Sequence, residues 1–169
     1  MPTVFIVMGV SGSGKSSVGQ ALANALGCHF FDGDDFHPPE NVAKMSQGIP
    51  LNDDDRYPWL ARLHDLIAEH LARGEQAVVA SSALKEKYRR QLLAGNAGAQ
   101  IIHLSGSFEL IYGRMEQRQH FMSPEMLRSQ FATLEPPDPA QVWVVDIDRP
   151  VAAIVAAIRE RIAATEQAD

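Results

Sequence analysis

Apolar residues fall along this chain in two rhythms. Short, largely unbroken runs recur: Val4-Phe5-Ile6-Val7-Met8, Cys28-His29-Phe30-Phe31, Ala77-Val78-Val79-Ala80, Gln100-Ile101-Ile102-His103-Leu104 and Val142-Trp143-Val144-Val145. Runs of this length, rich in β-branched and aromatic residues, predict strands buried on both faces of a parallel sheet. Between them, apolar positions return every three or four residues. Val18, Leu22, Ala25 and Leu26 share one helical face, and Gly27 stops that helix. Trp59, Leu60, Leu63, Leu66, Ile67 and Leu71 line a longer helix, predicted to begin near Pro58 as a first-turn residue and to end at Gly74. Further helices are predicted over residues 40–47, 86–93, 108–117 and 123–134, and Val151, Ile154, Val155, Ile158 and Ile162 mark the last one. Strands alternating with helices predict a three-layer α/β fold, and right-handed crossovers bring the C-terminal ends of the strands to one edge.

Polar residues concentrate at those strand ends. The first strand leads into Gly9-Val10-Ser11-Gly12-Ser13-Gly14-Lys15-Ser16, which has the spacing of a phosphate-binding loop for a nucleoside triphosphate. Glycines let backbone N–H groups converge on phosphate, and the helix N-terminus adds free donors and a favourable dipole. On this reading Lys15 reaches the β- and γ-phosphate oxygens and the Ser16 hydroxyl ligates Mg²⁺. The second strand runs into Asp32-Gly33-Asp34-Asp35-Phe36-His37-Pro38-Pro39. In extended backbone Asp32 and Asp34 face the same side, one toward a metal and the other toward an attacking hydroxyl. The alternative is an acidic turn whose carboxylates cap the next helix.

Arg56 lies in a second acidic loop, Leu51 to Pro58, where it either neutralises carboxylates or grips an anionic substrate. Ser81, Ser82 and Lys85 follow the third strand, in reach of a substrate, although a solvated helix-start lysine is the ordinary alternative. Arg114 and Arg118 are one helical turn apart. They either close over a triphosphate or form a solvated basic stripe. His103, inside a strand, reads as a packed residue.

Size and composition narrow the picture. The chain's 169 residues suit one domain, residues 1–169, with 46% hydrophobic and 21% charged residues. A formal net charge of -6 argues against general nucleic-acid binding. The single cysteine, Cys28, excludes an internal disulfide and suits a reducing compartment. No apolar stretch approaches a membrane span, so the expectation is a cytoplasmic enzyme.

Beyond the phosphate loop, the chain resembles the bacterial-type gluconate kinases over essentially its whole length. The resemblance rests on Asp32 to Pro39, Lys44-Met45, Gly48 to Leu51, Asp53, Asp55-Arg56 and Pro58-Trp59-Leu60. It continues through Ser82 to Lys85, Tyr88-Arg89, His120-Phe121-Met122, Ser129-Gln130-Phe131 and Leu134-Glu135-Pro136. It implies a P-loop kinase fold with a five-stranded parallel sheet, a mobile lid over about residues 118–135 and a homodimer. It also implies phosphoryl transfer from ATP, with Mg²⁺, to the 6-hydroxyl of D-gluconate.

A more distant similarity to shikimate kinases assigns roles by position. ATP falls to Gly9, Val10, Ser11, Gly12, Ser13, Gly14, Lys15, Ser16 and Ser17, with Arg114 and Pro150 on the two faces of adenine. Asp32 stands near Mg²⁺, Asp34 orients or deprotonates the acceptor hydroxyl, and Arg118 is a lid arginine acting with Lys15. The expected substrate contacts are Asp34, His37 and Ser82, with Arg56 or Lys85 for the carboxylate. Ser81-Ser82-Ala83 stands where shikimate kinases carry a glycine triplet, which argues against shikimate. A kinase for another small hydroxy acid and a non-catalytic ATP-binding module are the rival readings.

Overall fold

A computed structural model describes residues 2–118 and 123–168. Its strands are β1 (Val4–Met8), β2 (His29–Asp32), β3 (Ala77–Ala80), β4 (Ala99–Ser105) and β5 (Trp143–Asp146). They form one five-stranded sheet in the order β2-β3-β1-β4-β5, with every neighbouring pair parallel. β1 occupies the centre with all its residues buried, which is why its sequence shows no polar alternation.

The strand's period of two sends Phe5 and Val7 to one core and Val4, Ile6 and Met8 to the other. The first core receives Val18 and Leu22 of α1 (Lys15–Leu26), Ile111 and Met115 of α5 (Phe108–Gln117), and Ile154 and Ile158 of α7 (Val151–Ala168). The second receives Trp59, Leu60, Leu63 and Ile67 of α3 (Asp53–Arg73) together with Tyr88 and Leu92 of α4 (Glu86–Leu93). The remaining helices are α2 (Pro39–Ser46), which follows the turn after β2, and α6 (Pro124–Thr133). No helix among the described residues is long and apolar enough to cross a membrane.

Three local expectations are corrected. α3 begins at Asp53, five residues before Pro58, because a capping box starts it there. The Asn52 side chain accepts from Asp55 N at 2.8 Å, and the Asp55 carboxylate accepts from Asn52 N at 3.0 Å. The acidic triplet is therefore the helix's first turn, and Pro58 lies inside the helix. β2 and β5 each sit one residue later than predicted, set by the pairings Asp32 with Ala80 and Ser105 with Asp146. Residues after Asp32 do not stay extended: Gly33–Phe36 make a 3₁₀ turn.

Candidate active site

The phosphate loop joins the buried end of β1 to α1. Gly14 is the N-cap of α1, adopts φ 97°, and offers no side chain to the first-turn amides, which leaves them for an anion. Gly12, at φ 80°, lies where a Cβ would meet Met115 Sδ at 2.6 Å, so glycine is required for both conformation and space. Lys15 Nζ folds over the loop, donating to Gly9 O at 2.9 Å and Val10 O at 3.1 Å. Burial pulls its pKa down to about 8, although Asp34 and Asp32 draw it up. Val10 contributes only its backbone, because its side chain is packed in the core.

Opposite the loop, Asp32 ends β2, and its carboxylate accepts from Asp34 N at 3.0 Å. Capping and site chemistry are thus combined in one residue. Gly33 separates the carboxylates because a Cβ there would lie 2.3 Å from Ala80 O. Ser16 Oγ donates to Asp32 Oδ2 at a loose 3.4 Å. The pair offers hard oxygen donors beside the phosphate loop, a donor set that fits Mg²⁺ completed by water and phosphate oxygens. Burial first, and then Asp32, raises the Asp34 pKa, with Lys15 opposing.

Two adjoining clefts open along this edge and share Gly12, Gly14, Ser17 and Arg118. One, of about 420 Å³, adds Ser13, Arg114, Asp148, Arg149 and Pro150. The other, of about 550 Å³, adds Ser11, Lys15, Ser16, Asp32, Asp34, Ala80 and Ser81. Lys15 and Asp34, far apart in sequence, therefore face one space. Ser82 lines neither cleft; its neighbour Ser81 does, with a buried hydroxyl that has no protein partner among the described residues. By sequence both serines stand in reach of a substrate, with Ser82 the expected contact, because a strand-end pattern does not tell which of two adjacent serines lines a cleft.

His37 stacks on Trp59 with ring centroids 4.2 Å apart and planes 17° from parallel. Trp59 Nε1 also donates to Gly33 O at 2.7 Å, so one indole holds both the histidine and the Asp-Gly-Asp turn. Asn41 Nδ2 donates to Asp55 O at 2.8 Å, which orients its amide and presents the same NH₂ to His37 Nδ1 at 3.1 Å. Nδ1 thus accepts, the proton sits on Nε2, and burial further lowers the His37 pKa. Nothing in the sequence pattern marked Asn41 for this task.

Arg56 pairs with no carboxylate among the described residues; its Nη1 donates to Tyr88 Oη at 3.2 Å. Lys44, by contrast, binds both Asp55 oxygens, at 2.9 and 2.8 Å, tying α2 to the start of α3. His103 is buried in β4, as a packed residue should be.

Arg118 caps the end of α5, and Arg114 Nη2 lies 3.5 Å from Arg149 O. Residues 119–122, including His120, Phe121 and Met122 of the expected lid, lie outside the described residues. Across that gap, α6 contacts the phosphate loop directly. Ser11 N donates to Gln130 Oε1 at 2.7 Å, and Gln130 Nε2 donates to Ser11 Oγ at 3.0 Å.

Comparison with known proteins narrows the chemistry. The shikimate kinase family model matches residues 11–136. A probable gluconokinase of Rattus norvegicus is 48% identical over 181 residues, covering 95% of this chain and 98% of its own. The thermoresistant gluconokinase of Escherichia coli is 44% identical over 162 residues, covering 94% and 93%. The crystal structure of a gluconokinase from Sinorhizobium meliloti superposes with a TM-score of 0.82 at 44% identity, covering 97% of both chains. The shikimate kinase match spans residues 11–136, from within the phosphate loop to just past α6, while near-full-length identity above 40% is reached with gluconokinases. The chain therefore belongs to the gluconokinase family, within the wider set of P-loop kinases.

Proposed function

We propose that this chain transfers the terminal phosphoryl group of ATP to the 6-hydroxyl of D-gluconate, giving 6-phospho-D-gluconate and ADP. The observation that carries the reading is Lys15 and Asp34 opening on one cleft, in a chain of this family. Transfer is direct and in line, with no covalent enzyme intermediate. The loop amides and Lys15 hold the β- and γ-phosphates, and Arg118 adds positive charge from the end of α5. Arg114 and Pro150 flank adenine in the adjoining cleft. Ser16 and Asp32 hold Mg²⁺, which when bound neutralises charge on the phosphate oxygens.

Asp34 receives the proton of the 6-hydroxyl, and its raised pKa strengthens it as a base over an ordinary carboxylate. Neutral His37 donates from Nε2 to a sugar hydroxyl, and the hydroxyl contact expected of Ser82 falls to the strand end where Ser81 lines the cleft. Arg56 and Lys85 form the subsite for the carboxylate. A lid over about residues 118–135 closes on the substrates, and the enzyme works as a cytoplasmic homodimer. A hydroxy acid other than gluconate, or ATP binding without transfer, is not favoured by this family membership.

The test is ADP formation on adding D-gluconate, measured beside other sugar acids, shikimate and nucleoside monophosphates. Gluconate-dependent turnover well above every other acceptor is expected. Equal turnover with another acid would overturn the substrate, and nucleotide binding without turnover would overturn the enzyme.

A further inference from the structure

Tyr88 lies in the first turn of α4, is 7% exposed, and stands among more charge than any other described aromatic residue. Its hydroxyl has one proton, given to Asp53 Oδ1 at 2.6 Å, and a lone pair that accepts from Arg56 Nη1 at 3.2 Å. Arg56 Cζ lies 5.5 Å from the ring centroid, and Lys85 Nζ and Lys87 Nζ each lie 5.8 Å from it. Lys87 is paired with the other oxygen of Asp53. Three cations thus gather round one ring, and the single carboxylate bonded to its hydroxyl already has both oxygens taken, an arrangement with positive charge to spare for an incoming anion.

Asp53 and Arg56 are three residues apart on α3, the spacing at which an acid and a guanidinium ordinarily pair directly. They do not pair here because the Tyr88 hydroxyl lies between them. It satisfies the acid and occupies a single N–H of the guanidinium; the others have no partner among the described residues and suit a carboxylate in fork geometry.

We propose that Tyr88 is a positioning residue for acid recognition: its hydroxyl, interposed between Asp53 and Arg56, keeps the Arg56 guanidinium and the neighbouring Lys85 available to the substrate's carboxylate. The inference rests on the reading of Arg56 and Lys85 as the carboxylate subsite.

In Tyr88→Phe the spacer is gone, Asp53 Oδ1 loses its donor, and Arg56 turns to it. The KM for D-gluconate is expected to rise about tenfold, with kcat and the KM for ATP within about twofold of the parent. Preference for gluconate over its uncharged amide, as a ratio of kcat/KM, should shrink by the same factor. Adding Asp53→Asn removes the competing charge and should return the gluconate KM most of the way, a coupling that a merely structural tyrosine would not produce.

An unchanged gluconate KM in Tyr88→Phe, beside a raised KM in Arg56→Ala, overturns the role of Tyr88 and leaves the subsite standing. Unchanged values in both variants overturn the subsite reading as well. A loss of kcat that Asp53→Asn does not restore, with a lowered Tm, makes Tyr88 a packing residue and also overturns the proposal.

Discussion

Lys15 shows how one residue can be shaped for a partner that completes it. Its ammonium rests on the carbonyls of Gly9 and Val10 in a buried position that pulls its pKa from 10.5 to about 8. The charged form is what phosphate binds, so the sign of the pH effect follows. Below about pH 8 the free enzyme holds Lys15 charged, and ATP affinity is at its full value. As pH rises through that value, binding ATP must also take up a proton, and the ATP Kd should climb by up to about tenfold per pH unit. Lys15→Arg keeps its charge throughout, so calorimetric titration should show weaker ATP binding with no such slope. A wild-type Kd that stays flat from about pH 7 to 9.5 would mean that a different group carries the charge. Ser81 teaches a different lesson at the same scale: it lines the cleft, yet its hydroxyl is buried and has no protein partner among the described residues.

Among the elements, α6 is the one whose position bears most directly on turnover. It packs Leu127 into the core and reaches the phosphate loop through the two Gln130 contacts with Ser11. A segment so placed ties the proposed lid, of which it is part, to the loop that holds phosphate. If 118–135 closes over the substrates, amide exchange across α6 should slow most with ATP and gluconate together, and less with either alone. Equal protection in the free and ternary states would rule out closure. α3 shows why an element's ends can matter more than its middle. Its apolar face is plain in the sequence, yet the capping box at Asn52 and Asp55 moves its start back and carries Arg56 onto the helix. That placement sets Arg56 one turn from Asp53 and across from Tyr88.

For the whole molecule, the parallel sheet is the device that turns separate motifs into one site. β1, β2 and β3 end side by side, so the phosphate loop, the acidic turn and Ser81 share an edge. The division of labour across that edge is testable. Asp34→Asn should leave ATP binding nearly intact while lowering kcat by about 10²–10⁴-fold, the span of a lost general base. Equal loss of ATP binding would move Asp34 to the metal instead.

Strand count, parallel pairing, phosphate loop and acidic turn were all legible before any coordinates, because each is written in contiguous residues: a buried run, a glycine spacing, a strand-end cluster. The start of α3 was misread for the same reason, since Pro58 is a strong local signal and the capping box a quieter one. What no local pattern carries is a contact between distant segments. Asn41 orienting His37, Tyr88 standing between Asp53 and Arg56, and Gln130 joined to Ser11 across 119 residues all depend on which surfaces the packed layers press together. The amino-acid order by itself determined the kind of chemistry this chain performs. Only the tertiary structure decided how its charged groups are shared out and aimed, because burial and neighbours, not residue type, set their partners.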